Sequence, residues 1–376
     1  MRKVFVIDAR RTAIVTSNGK FKSVRPEVLG ARLLSSLRAE PVDEIILGNA
    51  VGTGGNIARL TALLADLDLS IPASTVDMQC ASGAASIAIA FAKIRAGLAD
   101  CIIAGGIESA SLQPLRIYHV NDPRHEQTSV NGIVGGFYAA QFSPDSISPT
   151  AMLEGAERVA QSEKISKHEL DEWAIESHRR ATRSREILSD AIIPVDGWTI
   201  DNGIRDRIDH RLLDRAPLPL GNGTVTSAGN SCRINDGAAI AVLASENFIR
   251  RRQLNPIAEI LSAASFGGDP QQSPRGAMST GDFLLQKNNL RWEDLSAIEF
   301  NEAFAVIDVM FERAHPSLID RYNRLGGALA YGHPYGASGA ILLLHLIKSL
   351  GSTGGLGLMS IAGAGGVGQA ILIDRR

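Results

Sequence analysis

The sequence predicts an α/β protein built from two similar halves with an insertion between them. Short apolar runs rich in Val and Ile alternate with helix-like stretches, the pattern of buried strands joined by helices. Ala81-Ser82-Gly83-Ala84 recurs 256 residues later as Ala337-Ser338-Gly339-Ala340. Two strand-like runs recur in nearly the same register: Ile46-Leu47-Gly48-Asn49 matches Ile298-Glu299-Phe300-Asn301, 252 residues on, and Val4 matches Ile257, 253 on. A tetrapeptide of small residues can recur by composition, but three matches in one register point to a duplication.

Taken in order, Val4 to Ile7 is the first strand, Glu44 to Leu47 the second and Cys101 to Ala104 a later one. The run SIAIAFAKI, which follows the first ASGA, is helix-like and is closed by a glycine. Residues 110–230 differ in kind. Gln113 to Pro149 is loop-like, and Ser166-Lys167-His168-Glu169 is a capping box that opens an amphipathic helix expected to run through Arg183. Ala216 to Gly223 is punctuated by Pro and Gly and reads as turns. The second half then repeats the first, with strands at Ile257 to Leu261, Ile298 to Phe300 and Leu356 to Met359, and a helix in ILLLHLIKS. The division expected is 1–109 plus 231–250 for the first half, 110–230 for the insertion and 251–376 for the second half.

Composition removes several function classes. The chain of 376 residues carries 38 Lys+Arg against 40 Asp+Glu and is 45% apolar, enough for a large core. Near-neutral charge without basic blocks argues against nucleic acid as a partner. No apolar run reaches about 18 residues, so no membrane span is expected. Asp8, Arg10 and Arg11 interrupt the start, where a signal peptide needs an apolar stretch, so a cytoplasmic location is expected. Cys80, Cys101 and Cys232 are odd in number and widely spaced, which suits a reducing compartment and gives no metal-ligand pairing.

Cys80 stands where a strand ends and a helix begins, and a thiol there has its thiolate stabilised by unpaired amides and the helix dipole. The duplication sets Gly336 opposite Cys80, so the turn holding His333 is expected to face the turn holding Cys80 across a pseudo-twofold axis. A Cys–His pair is the minimum for an activated nucleophile. Asn301 follows a buried strand, where its amide can hold a water or donate to an oxyanion; an Asx turn is the alternative. Gly363-Ala364-Gly365-Gly366-Val367-Gly368 fits GxGxxG, yet only eight residues follow it. That leaves no room for the helix, strand and acidic residue of a dinucleotide site, so a glycine turn presenting N–H groups fits better.

These motifs together resemble the thiolases. CASGAAS, NEAFA, GGALAYGHPYGASGA and the terminal glycine loop stand in the order and spacing of that family, as do ARRTA, AGGIES and TVTSAGNSCRINDGAA. The resemblance covers essentially the whole chain. It implies a five-layered αβαβα fold of two duplicated halves with an inserted loop domain that binds coenzyme A, in a dimer or a dimer of dimers. It implies an acyl-CoA C-acyltransferase acting on acyl-CoA and CoA through an acyl-cysteine, without a further cofactor or metal. By that likeness Cys80 accepts the acyl group, His333 activates it, and Asn301, through a water, joins His333 in an oxyanion hole. The N–H groups of Cys80 and of the loop near Gly365 would hold the acyl-enzyme oxygen. Arg205, Ser227, Cys232, Met152 and Phe304 would line the CoA groove, Arg205 meeting a phosphate.

Three positions depart from the family pattern. A cysteine that moves the α-proton is usual where Ala362 stands, a small Ser where Cys232 stands, and a His where Ala151 stands. Ala362 carries no exchangeable proton, so acylation is expected to outlast carbon–carbon chemistry, with Glu302, Ser360 or a second use of His333 as substitutes. A hydrolase or acyl-transfer enzyme with impaired carbon–carbon chemistry is therefore an alternative. A non-catalytic acyl-CoA-binding subunit needs neither Cys80 nor His333. A ketoacyl-synthase-like enzyme would want a second His where Asn301 stands.

Overall fold

A computed structural model of the chain describes residues 2–37, 41–138, 141–148 and 150–375; Pro149, the expected end of the loop-like part, lies outside them. The first half runs β1 (Val4–Arg11), α1 (Pro26–Ser36), β2 (Glu44–Gly48), α2 (Ile57–Leu64), β3 (Ala73–Val76), α3 (Ser82–Ala96) and β4 (Cys101–Glu108). The insertion holds two-residue strands between residues 116 and 137, then α4 (Ala151–Ser162) and α5 (Lys167–Ser189). The chain returns as β5 (Asn235–Ser245), which lies antiparallel between β1 and β4. The second half runs β6 (Ala258–Gly267), α6 (Gly276–Lys287), β7 (Ala297–Phe300), α7 (Ala305–Ala314), α8 (Tyr335–Leu350), β8 (Gly355–Gly363) and β9 (Val367–Arg375).

The strands follow the order β7-β8-β9-β6-β1-β5-β4-β2-β3. Read outward from the β6–β1 junction, each half presents the same sequence of strands, so the duplication seen in the residues is a duplication of topology. The second half's counterpart of β3 is reduced to one bridge, between Ile298 and Tyr322. Tyr322 serves instead as core, stacked on Phe311 at 4.3 Å with its hydroxyl donating to Asp308 at 2.7 Å.

Strand alternation sorts the core into layers. Ile45 and Leu47 face outward onto Leu29 and Leu33 of α1 and Ile57 of α2, whereas Ile46 faces the central layer. Leu358 faces α6 and α7, and Met359 the central layer. The centre holds α3 and α8, with Ile87 and Ile94 in one cluster with Leu343 and Leu346. Five layers result, α1/α2, sheet, α3/α8, sheet, α6/α7, as expected. The capping box is present, Ser166 accepting from the Glu169 amide and Glu169 from Ser166. The helix runs six residues past Arg183, to Ser189, because Leu188 is buried in the central cluster.

The repeated ASGA marks where α3 and α8 touch. A Cβ on Gly339 would lie 2.1 Å from the Ala84 nitrogen, and one on Gly83 would lie 2.7 Å from the Gly336 oxygen. The Gly336 carbonyl also sits 1.8 Å from where a Cβ on Gly106 would be. Backbone meets backbone here, and no side chain can move aside. Gly339→Val is therefore expected to cost at least about 3 kcal/mol, the upper range for overpacking. Gly267→Ala, in open space, serves as the control in thermal unfolding; equal melting temperatures for the two variants would refute the close approach.

Candidate active site

Strand β3 ends at Val76, and the chain reaches α3 through a tight turn in which Gln79 has φ of +53°. That left-handed conformation is strained for a residue with a side chain. The turn is held by Ser82, whose hydroxyl accepts from the Met78 amide at 2.8 Å and donates to the Gln79 carbonyl at 2.6 Å. Cys80 follows, 9% exposed. Two amides stabilise its thiolate form, its own and that of Ala364 in the terminal loop. Burial outweighs them, and the thiol is pushed up to about 12, with Glu108 and Asp77 adding to the shift. This corrects the expectation of a thiolate favoured at the helix start. At neutral pH Cys80 is a thiol, and a base must take its proton during attack.

His333 lies between a one-turn helix (Ala328–Tyr331) and α8 rather than at the end of a strand. Its amide donates to the Arg233 carbonyl at 2.9 Å, and the ring is 1% exposed. Ser338, the serine of the second ASGA, donates its one hydroxyl proton to the Pro334 carbonyl at 2.9 Å. It must then accept from His333 Nδ1, 2.6 Å away. That places the ring proton on Nδ1 and leaves Nε2 a free acceptor, which Asn301 Nδ2 meets at 3.3 Å. Burial lowers the ring to about 3, so it is neutral at physiological pH. No hydrogen bond joins Cys80 to His333 here; the imidazole is engaged by Asn301.

Two buried carboxylates hold these parts. Glu108 accepts from Asn49 Nδ2 at 2.8 Å and from the amides of Ala50 and Gly336, each at 3.0 Å, tying the first half to the turn after His333. Burial raises it to about 7. Glu302 accepts from Ser177, from Asn323 at 3.1 Å and from the Leu329 amide at 3.3 Å. With its oxygens so engaged it orients the Asn301 loop and is a poor candidate to move a proton. The Ser360 hydroxyl donates to the Ala277 carbonyl at 2.7 Å, away from Cys80.

The structure sorts the other expected residues. Cys232 is half-buried, and its segment is threaded between the Asn301 loop and His333: Ser231 bridges Phe304, the Cys232 amide donates to the Ala303 carbonyl at 2.9 Å, and Ile234 bridges His333. The loop amide that acts on the Cys80 sulfur belongs to Ala364, one residue before Gly365. Ser227 is fully buried, its hydroxyl accepting from the Gly229 amide at 3.1 Å inside its own turn. Ala151 is buried, and Met152 is half-buried in the first turn of α4. Ala362 is 1% exposed, its methyl facing Gly276 of α6.

Arg205 is exposed and lines a groove of about 290 Å³ with Arg179, Thr182, Arg183 and Asp206. Arg205 and Arg233 have no carboxylate partner among the described residues, and their mutual repulsion helps to lower Arg233. Both also help to lower His178 to about 4, after burial as the main cause. Uncompensated positive charge of this kind is an anion site in waiting. The group among the described residues that could hold a metal ion is His168, Glu172 and His210, on the surface of the insertion, with ligand atoms within 4.8 Å of one another. No described helix is long and apolar enough to cross a membrane.

Sequence reasoning assigned no role to Glu108, Ser338, Ala364 or Tyr335. Ser338 carried a signal, since it matches Ser82 in the repeat and each serine holds its own turn.

The comparisons agree with this architecture. The family model described as "Thiolase, N-terminal domain" matches residues 4–247, and "Thiolase, C-terminal domain" matches residues 254–375. Two bacterial relatives are provisionally named acetyl-CoA C-acetyltransferases. VraB of Staphylococcus epidermidis is 33% identical over 387 aligned positions, covering 100% of this chain and 99% of its own. YhfS of Bacillus subtilis is 34% identical, covering 94% and 97%. Among solved structures, the Acat5 thiolase of Ascaris suum in complex with coenzyme A superposes with a TM-score of 0.89 at 29% identity over 100% of both chains. The acetyl-CoA acetyltransferase of Bacillus anthracis gives 0.91 at 27%, over 100% of this chain and 99% of that one. With both family domains matched end to end and such relatives along its whole length, this chain belongs to the thiolase family of acyltransferases.

Proposed function

We propose that the protein is an acyl-CoA C-acyltransferase that works through an acyl-Cys80 intermediate, condensing acetyl-CoA or cleaving 3-ketoacyl-CoA. The observation that carries this reading is a buried thiol with two amides acting on its sulfur, together with a neutral imidazole whose Nε2 is an acceptor met by Asn301. His333 Nε2 takes the thiol proton as the sulfur attacks the thioester carbon. The oxyanion that forms meets the N–H groups of Cys80 and Ala364, charge stabilisation worth about 2.7–4 kcal/mol per donor in comparable sites. CoA leaves as its thiolate and recovers the proton from His333. Protonation of Nε2 also turns it from acceptor to donor, which frees the Asn301 amide. In the cleavage direction, where no CoA has yet left and the proton still rests on Nε2, Asn301 Nδ2–H and His333 Nε2–H form a second pair of donors for the thioester oxygen of the departing acetyl-CoA.

The relatives' names and the coenzyme A held by the Ascaris suum protein support acyl-CoA and CoA as ligands. Arg205, beside Arg233, is the proposed phosphate contact, a charge-assisted bond worth about 1.5–3 kcal/mol. Arg205→Ala is expected to weaken CoA binding by roughly 10- to 100-fold in calorimetry; an unchanged Kd would reject the contact. A homo-oligomer is proposed as well. The edge of β3 pairs with β2 alone, and Leu60, Leu63, Leu64 and Leu69 are exposed nearby.

Ala362 supports a second reading, an acyl-CoA hydrolase or acyl-transfer enzyme with impaired carbon–carbon chemistry. Intact-protein mass spectrometry after exposure to acyl-CoAs, followed by an acetoacetyl-CoA cleavage assay, tests both. Acyl-Cys80 without cleavage selects the second reading, and no adduct on Cys80 rejects both.

A further inference from the structure

Carbon–carbon chemistry needs a group that carries a proton to and from the carbon next to the thioester, and position 362 offers a methyl. We propose that the Tyr335 hydroxyl carries that proton, an inference that rests on the acyl-Cys80 reading above.

Tyr335 opens α8 two residues after His333, and its ring stands edge-on to the imidazole with centroids 4.7 Å apart and planes at 77°. It is half-buried, and its hydroxyl has no hydrogen-bond partner among the described residues. The two neighbouring buried tyrosines differ: Tyr322 donates to Asp308 at 2.7 Å and Tyr331 to the Leu325 carbonyl at 3.0 Å. Unlike theirs, the Tyr335 hydroxyl is held by no described protein group, so it is open to a group bound in the site. Burial raises the phenol most, and Cys232, Cys80 and Glu108 add to the rise, so its environment includes both site thiols. Glu302 and Ser360, the other groups near enough to consider, are already engaged.

The proton balance closes without a further reactant. In the cleavage direction the Cys80 sulfur attacks C3 of the 3-ketoacyl-CoA, its proton having passed to His333. The C2–C3 bond breaks and its electron pair stays on C2. Tyr335 O–H gives its proton to C2, releasing acetyl-CoA and leaving a phenolate. The entering CoA thiol gives its proton to the phenolate, and the CoA thiolate attacks the acyl-Cys80 carbonyl. Cys80 departs as a thiolate and recovers its proton from His333. While the phenolate exists, Cys80 is acylated and uncharged, and His333 is an imidazolium edge-on to the phenol ring. Burial opposes the phenolate most and Cys232 next; acylation removes the contribution of Cys80, and a cation stands beside the ring.

Tyr335→Phe keeps the ring against His333 and removes only the hydroxyl. Three measurements are made on wild type and variant: acetyl transfer from acetyl-CoA to Cys80, wash-in of solvent deuterium at the methyl carbon of acetyl-CoA, and cleavage of acetoacetyl-CoA by CoA. The variant is expected to acylate within about threefold of wild type while deuterium exchange and cleavage fall by about 10²-fold or more, the usual contribution of a positioned acid or base. Ala362→Cys is expected to raise exchange by less than about threefold. Exchange unchanged in Tyr335→Phe overturns the inference. So does exchange lost in Cys232→Ser but kept in Tyr335→Phe, or a wild type that acylates yet never exchanges. Loss of acylation in Tyr335→Phe likewise overturns it, since the hydroxyl would then serve His333. A wild type with no adduct on Cys80 rejects the acyl-cysteine reading itself, a distinct result.

Discussion

Exposed to acetyl-CoA, the wild-type chain is expected to gain one acetyl mass on Cys80, and Cys80→Ser to gain none, with turnover lower by at least about 10⁴-fold. Three thiols compete for the acyl group. Cys101 is fully buried inside β4. Cys232 is reachable, but its backbone N–H is spent on the Ala303 carbonyl. Cys80 has two amides acting on its sulfur, its own and that of Ala364. Because burial pushes Cys80 up to about 12, the resting thiol should also resist alkylation. Iodoacetamide labelling at pH 7 is expected to be slow and to rise with each pH unit through pH 9, in proportion to the thiolate fraction. Acyl mass on Cys101 or Cys232 with Cys80 unmodified would sink the assignment, and rapid labelling that is flat between pH 6 and 9 would show a preformed thiolate.

His333→Ala is expected to slow acylation of Cys80 by roughly 10²–10⁴-fold, the range for loss of a positioned base. The pH profile carries the sharper test. A base held near 3 by burial stays neutral, and so able to accept, at every pH above about 4. Its protonated form appears only as pH falls through that value. Acylation by wild type should therefore show no loss of a basic form between pH 8 and 5. An inflection near 6.5, absent in the variant, would mean that the ring titrates as an exposed histidine does, and would contradict its burial against Ser338 and Asn301.

Much of the fold was legible because its determinants are local or periodic. Apolar runs of strand length, the capping box at Ser166 and the ASGA repeat each declare themselves within a few residues. That the repeat marks a contact where two helix backbones meet became visible only in the structure. The second half's missing strand was not legible: Tyr322 is drawn into an aromatic cluster with Phe300 and Phe311, and a sequence scan shows an aromatic without saying what it stacks on. The overrun of α5 to Ser189 has the same origin, a tertiary contact at Leu188 that local propensity does not contain.

The sequence by itself determined the α/β duplication, the membership of Cys80, Asn301 and His333 in one set of motifs, and the absence of a proton carrier at Ala362. Tertiary structure decided the chemistry those residues can perform. Burial sets Cys80 as a thiol and His333 as a neutral ring, reversing the helix-start argument, because desolvation depends on everything packed around a group and not on its neighbours in the chain. Chain crossing chose Ala364 over Gly365 as the amide at the sulfur, and it sealed Ser227 inside its own turn. It also left Tyr335, two residues from His333, as a phenol beside both site thiols with nothing to bond. A hydroxyl's partners come from segments far apart in sequence, so whether it is satisfied can be known only when those segments are in place.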